Sequence, residues 1–140
     1  MITSYNTFIN NLADLSVSGV QRAFDGPPPS VTTADLPCSF PRAVIGEEGP
    51  LTVQTPGGWP TFRGDLIIIV EPVGQSTSPL NHAAVVDIAD ALSTALRALG
   101  PNSAKPLGRS PINWTIALSS SEVVGETPYW ALVTTVEGHG

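Results

Sequence analysis

Apolar residues recur at intervals of three and four positions in two segments of the chain, which is the spacing of one helix face. The first segment follows Ser4, a residue type that favours helix N-caps, and predicts about three turns of helix that end before Gly19. Its apolar positions are Tyr5, Phe8, Ile9, Leu12 and Leu15. The second segment is longer, with Asn81 as a candidate cap and the stop signal Gly100–Pro101 after it. Its apolar positions are Val85, Ile88, Ala89, Leu92, Ala95, Leu96 and Leu99.

Segments with strand composition fill much of the remaining chain. They are GVQRAFDG, CSFPRAVIGEEG, LTVQT, TFRGDLIIIV, INWTIALSS and PYWALVTTVEG. Every position of Leu66–Val70 is apolar, so we expect a central strand covered on both sides, by helices or by a neighbouring subunit. The last two segments are joined by SEVVGET and predict a hairpin. Pro41 indicates an edge position or a bulge, because proline has no amide hydrogen to donate.

The loops between these segments are long and rich in proline. Pro27, Pro28 and Pro29 favour an extended backbone without ladder hydrogen bonds, so we expect their loop to be an excursion away from the sheet. A further long loop runs over Gly100–Pro111. The elements follow the order helix, three or four strands, long helix, two strands. This order predicts an α+β fold, in which an antiparallel or mixed sheet carries two main helices packed on one face.

The composition limits the classes of partner. The chain has 140 residues, which fits one domain over residues 1–140, and a formal net charge of −6 with only six Lys and Arg. This balance disfavours sequence-specific nucleic-acid binding and binding to anionic membranes, since both depend on cationic side chains. Cys38 is the only cysteine, so an internal disulfide is excluded. With neither a signal peptide nor an apolar run of membrane-spanning length, we expect a soluble protein made in the cytoplasm.

The tripeptide Arg63-Gly64-Asp65 has two interpretations. It is the motif of cell-adhesion ligands, which need an exposed loop on an extracellular protein. Here the tripeptide runs directly into the apolar Leu66–Val70, and nothing in the sequence indicates secretion. We therefore favour a strand entry, with Gly64 as a bulge.

Few residues offer reaction chemistry or metal ligation. His82 and Asp87 are five positions apart and do not share a helix face, whereas Asp87 and Asp90 do, so a solvated face is favoured over a metal site. Glu47 and Glu48 lie in a turn, without a partner carboxylate that the sequence identifies. Cys38 has no nearby histidine and is expected to be a small buried apolar residue. Trp59, between Gly58 and Pro60, is either a lid on the core or an anchor for a partner.

Several phrases of the chain resemble tail-terminator and tail-completion proteins of long-tailed bacteriophages. They are ADLPCSFPR after the proline-rich loop, RGDLIIIVEPVGQST followed by VVDIADALSTALRAL, and the closing TPYWALVTTVEG. The resemblance implies a sheet flanked by helices and a homo-oligomeric ring, usually of six subunits, without enzyme activity or a cofactor. Such a ring caps the tail tube, stops its elongation and meets the head-side neck. Alternatives are a head-closure or stopper-type neck protein and, in a different class, a small ligand- or metal-binding domain or enzyme.

The resemblance implies four partners or locations: other copies of the chain, the major tail tube protein, the head-side neck protein, and a virion assembled in the host cytoplasm. We expect the ring contacts to involve the turn near Trp59, the proline-rich loop, and arginines that form ion pairs, either within a subunit or between subunits. The predicted interface residues are Trp59, Pro60, Phe62, Arg63, Arg22, Arg42, Pro27, Pro28 and Pro29.

Overall fold

The computed structural model describes residues 4–43, 52–53, 56, 60–74, 82–99, 107 and 109–139. Two α-helices are present in this part of the chain, α1 over Tyr5–Ala13 and α2 over His82–Arg97, together with a short 3-10 helix over Thr33–Asp35. The strands are β1 (Arg22–Ala23), β2 (Cys38–Arg42), β3 (Thr52–Val53), β4 (Thr61–Pro72), β5 (Arg109–Val124) and β6 (Thr127–His139). None of the described helices is both long enough and apolar enough to cross a membrane.

The six strands form one mixed sheet in the order β1-β2-β4-β6-β5, with β3 beside the start of β4. β1 runs parallel to β2, and the other pairs are antiparallel. The predicted α+β fold is therefore confirmed. β4 and β6 lie at the centre, so the apolar run of β4 has neighbouring strands on both edges.

Helix α1 begins where the sequence places its cap. The Ser4 hydroxyl accepts a hydrogen bond from the Thr7 amide at 3.2 Å, which satisfies one of the free donors of the first turn. The helix ends at Ala13 with Asp14 as its C-cap, so the predicted helical residue Leu15 lies beyond it. In α2 the buried residues are Val85, Ile88, Leu92 and Leu96, as the periodicity predicts. The predicted cap Asn81 and the stop signal Gly100–Pro101 fall outside the described residues.

Both helices pack on the same face of the sheet, here called the helical face, as predicted. Phe8 of α1 stacks on Phe62 of β4 with 5.6 Å between ring centroids, and both side chains are fully buried. Leu66, Leu132 and Val136 extend this core beneath α2. The two amphipathic faces read from the sequence therefore meet over one apolar sheet surface.

The opposite face, here called the second face, is covered by the chain itself. Val31 and Leu36 of the proline-rich segment, and Phe24 just before it, pack against the cluster that contains Ile67 and Ile69. Our expectation that this segment leads away from the sheet is therefore wrong. β4 is covered on both sides as predicted, by the two α-helices on the helical face and by residues of the same chain that precede β2 on the second face.

Short strands form where the sequence predicted longer ones. β1 keeps only Arg22–Ala23, and β2 stops at Arg42. The predicted strand positions Val44 and Ile45 and the predicted turn acids Glu47 and Glu48 lie outside the described residues. β1 pairs with Cys38 and Ser39 only, so Pro41 lies on a part of β2 with β4 on one side and no described strand on the other. This edge position confirms what Pro41 predicts.

Arg63, Gly64 and Asp65 lie within β4, in continuous register with Glu137, Val136 and Thr135 of β6. The predicted strand entry is correct, but Gly64 is not a bulge; the register shift lies further along, between Ile69 and Glu71. Gly64 instead allows a close helix approach. A Cβ atom at this position would lie 2.8 Å from Cδ1 of Ile9 and 3.2 Å from Cε1 of Phe8.

Candidate assembly surface

Strand β5 is the last strand of the sheet on one side. β6 pairs with its inner edge, and among the described residues no strand pairs with its outer edge. A two-residue turn, Gly125–Glu126, joins β5 to β6. Gly125 has a φ of +65°, as the first central residue of a type II′ hairpin turn requires, which confirms the predicted hairpin.

A row of apolar side chains follows β5 on the helical face. Trp114, Ile116 and Leu118 face the β6 residues Val136, Thr134 and Leu132, and Ile112 precedes them on the same face. Ile112, Trp114 and Ile116 pack against the margin of the core and are partly buried, whereas Leu118 is 44% exposed. The core therefore continues to the outer strand of the sheet and ends there with apolar surface in water.

The same strand carries no charge over ten residues, Ile112–Ser121. Edge strands of monomeric proteins usually carry charged residues or proline, because a free row of amides and carbonyls invites pairing with another chain. The opposite margin of the sheet has such protection, in the form of Arg22, Asp25 and the prolines that follow. The outer edge of β5 thus has the composition of a covered strand.

A register shift between Ser119 and Glu122 ends the regular part of β5. Beyond it the strand turns over the second face, and both Glu122 carboxylate oxygens accept hydrogen bonds from Arg42, at 2.7 and 3.2 Å. Arg42 Nη2 also lies 3.8 Å from Asp65 Oδ2, and Thr135 Oγ1 donates to Asp65 Oδ1 at 3.0 Å. These four side chains are called the Arg42 cluster below.

The Arg42 cluster is largely shielded from water. The side chains of Arg42 and Glu122 are 24% and 16% exposed, and Arg42 Nε is buried with no hydrogen-bond partner among the described residues. The Arg42 guanidinium lies between the Glu122 and Asp65 carboxylates and offsets one of their two negative charges, so the arrangement is suited to tie strands together. The cluster connects the C-terminal end of β2 with the part of β5 that follows the register shift.

A cavity of about 340 Å³ lies between α1, the proline-rich loop and the end of β2. Tyr5, Ile9, Pro27 and Pro41 provide much of its lining, and Arg42 lines it as well. This volume is at the lower end of the range for small-molecule sites. The guanidinium is already paired with Glu122, so the free surface of the cavity is mainly apolar.

Two of the arginines predicted at an interface form ion pairs within the subunit. Arg22 lies 3.0 Å from Asp35 and stacks over the Phe24 ring at 4.5 Å, and Arg42 pairs as described above. A hydrogen bond from the Thr32 amide, together with the Arg22 guanidinium, holds the pKa of Asp35 below its ordinary value. For these arginines the intramolecular alternative is the one observed.

The remaining predicted interface residues do not form one patch. Phe62 is fully buried in the helical-face core, so its side chain offers no surface to a neighbouring subunit. Pro60 and Arg63 are half-buried, and the Arg63 carbonyl accepts a hydrogen bond from the Tyr5 hydroxyl at 2.7 Å. Trp59 lies outside the described residues.

The prolines of the predicted interface lie beside the hairpin turn. Pro27 and Pro29 are exposed, whereas Pro28 is half-buried. The Pro29 carbonyl oxygen lies 3.3 Å from the position that a Cβ atom would take on Gly125. The proline-rich loop therefore contacts the turn between β5 and β6 within the same subunit.

The residues considered for metal binding or nucleophilic chemistry are dispersed. His82, Asp87 and Asp90 are exposed on α2, and within the described ranges no three His, Cys, Asp or Glu side chains lie together as a metal site needs. Cys38 is fully buried, as expected. Burial, with a smaller contribution from the nearby Asp35 carboxylate, raises the pKa of its thiol to about 11.

Comparison with known proteins adds no relative: no protein-family model matches the chain, and no curated protein matches it.

The apolar row of β5 and its outer edge, with which no described strand pairs, were missed by our sequence-based interface prediction. One signal was available, because Ser110–Ser121 is the longest uncharged stretch within the two closing strands. That signal becomes informative only when the strand order is known. A central strand of the same composition would be unremarkable, whereas at the edge it indicates a partner.

Proposed function

We propose that this protein is a structural virion protein of a long-tailed bacteriophage. In this proposal copies of the chain form a ring at the head-proximal end of the tail tube, end tube elongation and join the tail to the neck. The observation that supports it best is the uncharged stretch of β5, the terminal strand of the described sheet, with its partly exposed apolar row. Such an edge favours a protein that works in association with other chains.

Self-assembly into a ring would bury this edge in a contact between subunits. A closed ring repeats one head-to-tail interface around its axis, so every subunit buries the same two surfaces and no copy is left with a free end. The apolar side chains beside the edge would leave water in the same step, which contributes about 25 cal/mol for each Å² buried.

The position at the end of a tail tube is inferred from the sequence resemblance. The α+β fold, with both helices on one face of a mixed sheet, agrees with the sheet flanked by helices that this resemblance implies. The tube and neck partners follow from the same resemblance.

The decisive experiment combines mass measurement with tail-tube binding. We expect the purified protein to form a closed oligomer in light scattering and ring-shaped particles in electron microscopy. Added during assembly of the major tail tube protein, it should bind one end of the tubes and limit their length. A protein that stays monomeric at high concentration and does not bind tube ends would refute the proposal.

A head-closure or stopper role is the alternative within the same class, and it is distinguished by binding to the head-side neck without any effect on tube length. The cavity beside α1 and β2 is the observation that favours a ligand-binding domain instead. A small apolar probe that gains fluorescence in the wild type, and loses it when Ile9→Trp fills the cavity, would favour this alternative.

A further inference from the structure

We propose that the cavity beside α1 binds a small organic cation, an ammonium group on an apolar body, and that Asp25 provides the counter-charge. The cavity has a volume of about 340 Å³ and lies between α1, the start of the proline-rich loop and the end of β2. The inference concerns this cavity alone. It does not depend on assembly into a ring, so each of the two proposals can fail without the other.

The walls of the cavity fit an apolar body. Tyr5 and Ile9 lie one turn apart on α1, so the cavity runs along the side of the helix, and Pro27 and Pro41 complete much of the wall. The proline rings have few conformations, and Pro41 is held in the sheet opposite Leu66. The walls therefore lose little conformational freedom when a ligand binds, which favours affinity. Preformed, mainly apolar cavities with a few polar groups are typical of small-molecule sites.

Asp25 is the acid at this cavity that lacks a counter-charge. It is exposed, and among the described residues its carboxylate has neither a hydrogen-bond donor nor an ion-pair partner. The arginine nearest to it in the chain, Arg22, lies 3.0 Å from Asp35 and is paired there. A cation in the cavity would therefore neutralise an unmatched charge without displacing an existing ion pair.

Arg42 also borders the cavity, but two carboxylates flank its guanidinium. Glu122 lies 2.7 Å from Nη1 and Asp65 lies 3.8 Å from Nη2, so the three groups together carry one negative charge. The same sign acts at the Tyr5 hydroxyl, where burial, and then the Asp65 carboxylate, raise the pKa. The positive end of the α1 dipole acts along the helix axis and weakens within the first turn, whereas the cavity lies beside the helix. An anion would therefore meet net repulsion.

These features together select an amphiphilic cation. Its apolar body would leave water between the rings of Tyr5 and the prolines, while its ammonium group stays at the exposed Asp25 and keeps part of its hydration. A neutral ligand would fill the cavity but leave the Asp25 charge unmatched. A metal ion would gain nothing from apolar walls, and in the described part of the chain no three His, Cys, Asp or Glu side chains come together to ligate one.

The test compares three probes of closely similar size and different charge: 2-phenylethylammonium, 2-phenylethanol and phenylacetate. Titration of the backbone amide signals by NMR measures each affinity and locates the site. We expect the ammonium to bind about threefold to fivefold more tightly than the alcohol, as one partly exposed ion pair allows, and phenylacetate to bind most weakly. The amide shifts should concentrate at Asn6, Ile9 and Gly26.

Two matched substitutions then assign the preference to its residue. Asp25→Asn should bring the affinities for the ammonium and the alcohol within about twofold of each other, since the counter-charge is lost. Asp90→Asn removes the same charge from an exposed position on α2 and should leave the preference unchanged. Circular dichroism checks that both variants are folded.

The inference is supported if the ammonium is preferred, the shifts map to the cavity, and only Asp25→Asn abolishes the preference. It is overturned if the alcohol or phenylacetate binds as tightly as the ammonium to the wild type, or if the ammonium does not bind. Shifts that map to another surface would also overturn it. So would an equal loss of preference in Asp90→Asn, because net charge and not this cavity would then select the cation.

Discussion

The guanidinium of Arg42 and the carboxylate of Glu122 lie 2.7 Å apart although the two residues are 80 positions apart in the chain. β2 and β5 are separated in the sheet by β4 and β6, so this ion pair crosses the second face instead of joining neighbouring strands. Such a contact requires a strongly twisted and coiled sheet. The pair therefore connects β2 with β5, the terminal strand of the sheet, across the second face.

Glu122→Gln should destabilise the protein, because it leaves the largely buried Arg42 without its closest counter-charge. We expect a loss of about 1–3 kcal/mol in the free energy of unfolding, measured by urea denaturation. Asp35→Asn is the matched control, since it removes an ion pair whose Arg22 side chain is mostly exposed, and its effect should be smaller. If both variants lose the same free energy of unfolding, the ion pair between Arg42 and Glu122 stabilises the fold no more than the exposed pair does.

Gly64→Ala should destabilise the packing of α1 on β4. The added methyl group would lie 2.8 Å from Cδ1 of Ile9, which is closer than carbon atoms approach. We expect a loss of about 1–3 kcal/mol, the usual range for overpacking in a core. Gly74→Ala is the control, because no atom of the described residues lies within 4 Å of a Cβ at that position.

The origin of this loss can be tested by a second substitution. Ile9→Val removes the Cδ1 atom that the added methyl group would contact, so it should be less harmful in the Gly64→Ala background than in the wild type. A double-mutant cycle by urea denaturation measures that coupling. Additive effects would contradict the steric explanation.

The parts of the fold that could be predicted from the sequence have local causes. Ser4 caps its own helix three residues away, and the apolar residues of α2 repeat within a single element. Leu66–Val70 has no polar position, so a strand there has to be covered on both faces. These features depend on neighbours in sequence, which periodicity describes directly.

The parts that could not be predicted depend on distant contacts. Phe24, Val31 and Leu36 have no regular spacing, so nothing in the sequence indicates that their segment covers the second face. Gly64 is a glycine because a helix that begins 59 positions earlier packs against it, as the contact with Ile9 shows. Pairs at this separation leave no periodic signal in a single sequence.

The Cys38 thiol should be unreactive in the folded protein. Its pKa of about 11 lies two units above the ordinary value of 9.0, so at neutral pH the folded chain holds about a hundredfold less thiolate than the unfolded chain. Burial reduces the rate further by excluding the reagent. Ellman's reagent should react slowly in buffer and rapidly in urea. Ser120→Cys in a Cys38→Ala background places a thiol at an exposed position and should react rapidly in both.

Alkaline pH should destabilise the fold through the same group. The pKa of the Cys38 thiol is higher in the folded state than in the unfolded state. The contribution of the protonated thiol to the free energy of unfolding is therefore fully present below the unfolded pKa near 9.0 and is lost as the pH rises towards about 11. Burial, and then the Asp65 carboxylate, also raise the pKa of Tyr5, which adds a loss of the same sign at still higher pH. Urea denaturation between pH 7 and 10.5 should show a smaller decline for Cys38→Ala than for the wild type. If the free energy of unfolding declines equally with pH in both proteins, the decline does not come from the Cys38 thiol.

Thr134→Val should stabilise the protein. Thr134 is fully buried on β6 between Leu66 and Ile116, and its hydroxyl has no hydrogen-bond partner among the described residues. Valine keeps the branched shape that suits a strand and removes the buried polar atom, so we expect a gain of about 1 kcal/mol in the free energy of unfolding.

The next residue supplies the control for that substitution. Thr135 has the same chemistry on the same strand, but its hydroxyl donates to Asp65 Oδ1 at 3.0 Å on the second face. Thr135→Val should therefore lower stability, since it leaves the buried Asp65 carboxylate with one donor fewer. Urea denaturation of both variants, at equal protein concentration, measures whether the free energy of unfolding rises in Thr134→Val and falls in Thr135→Val. A loss in Thr134→Val as large as that in Thr135→Val would show that the Thr134 hydroxyl is hydrogen-bonded in solution, because only a satisfied hydroxyl is costly to remove.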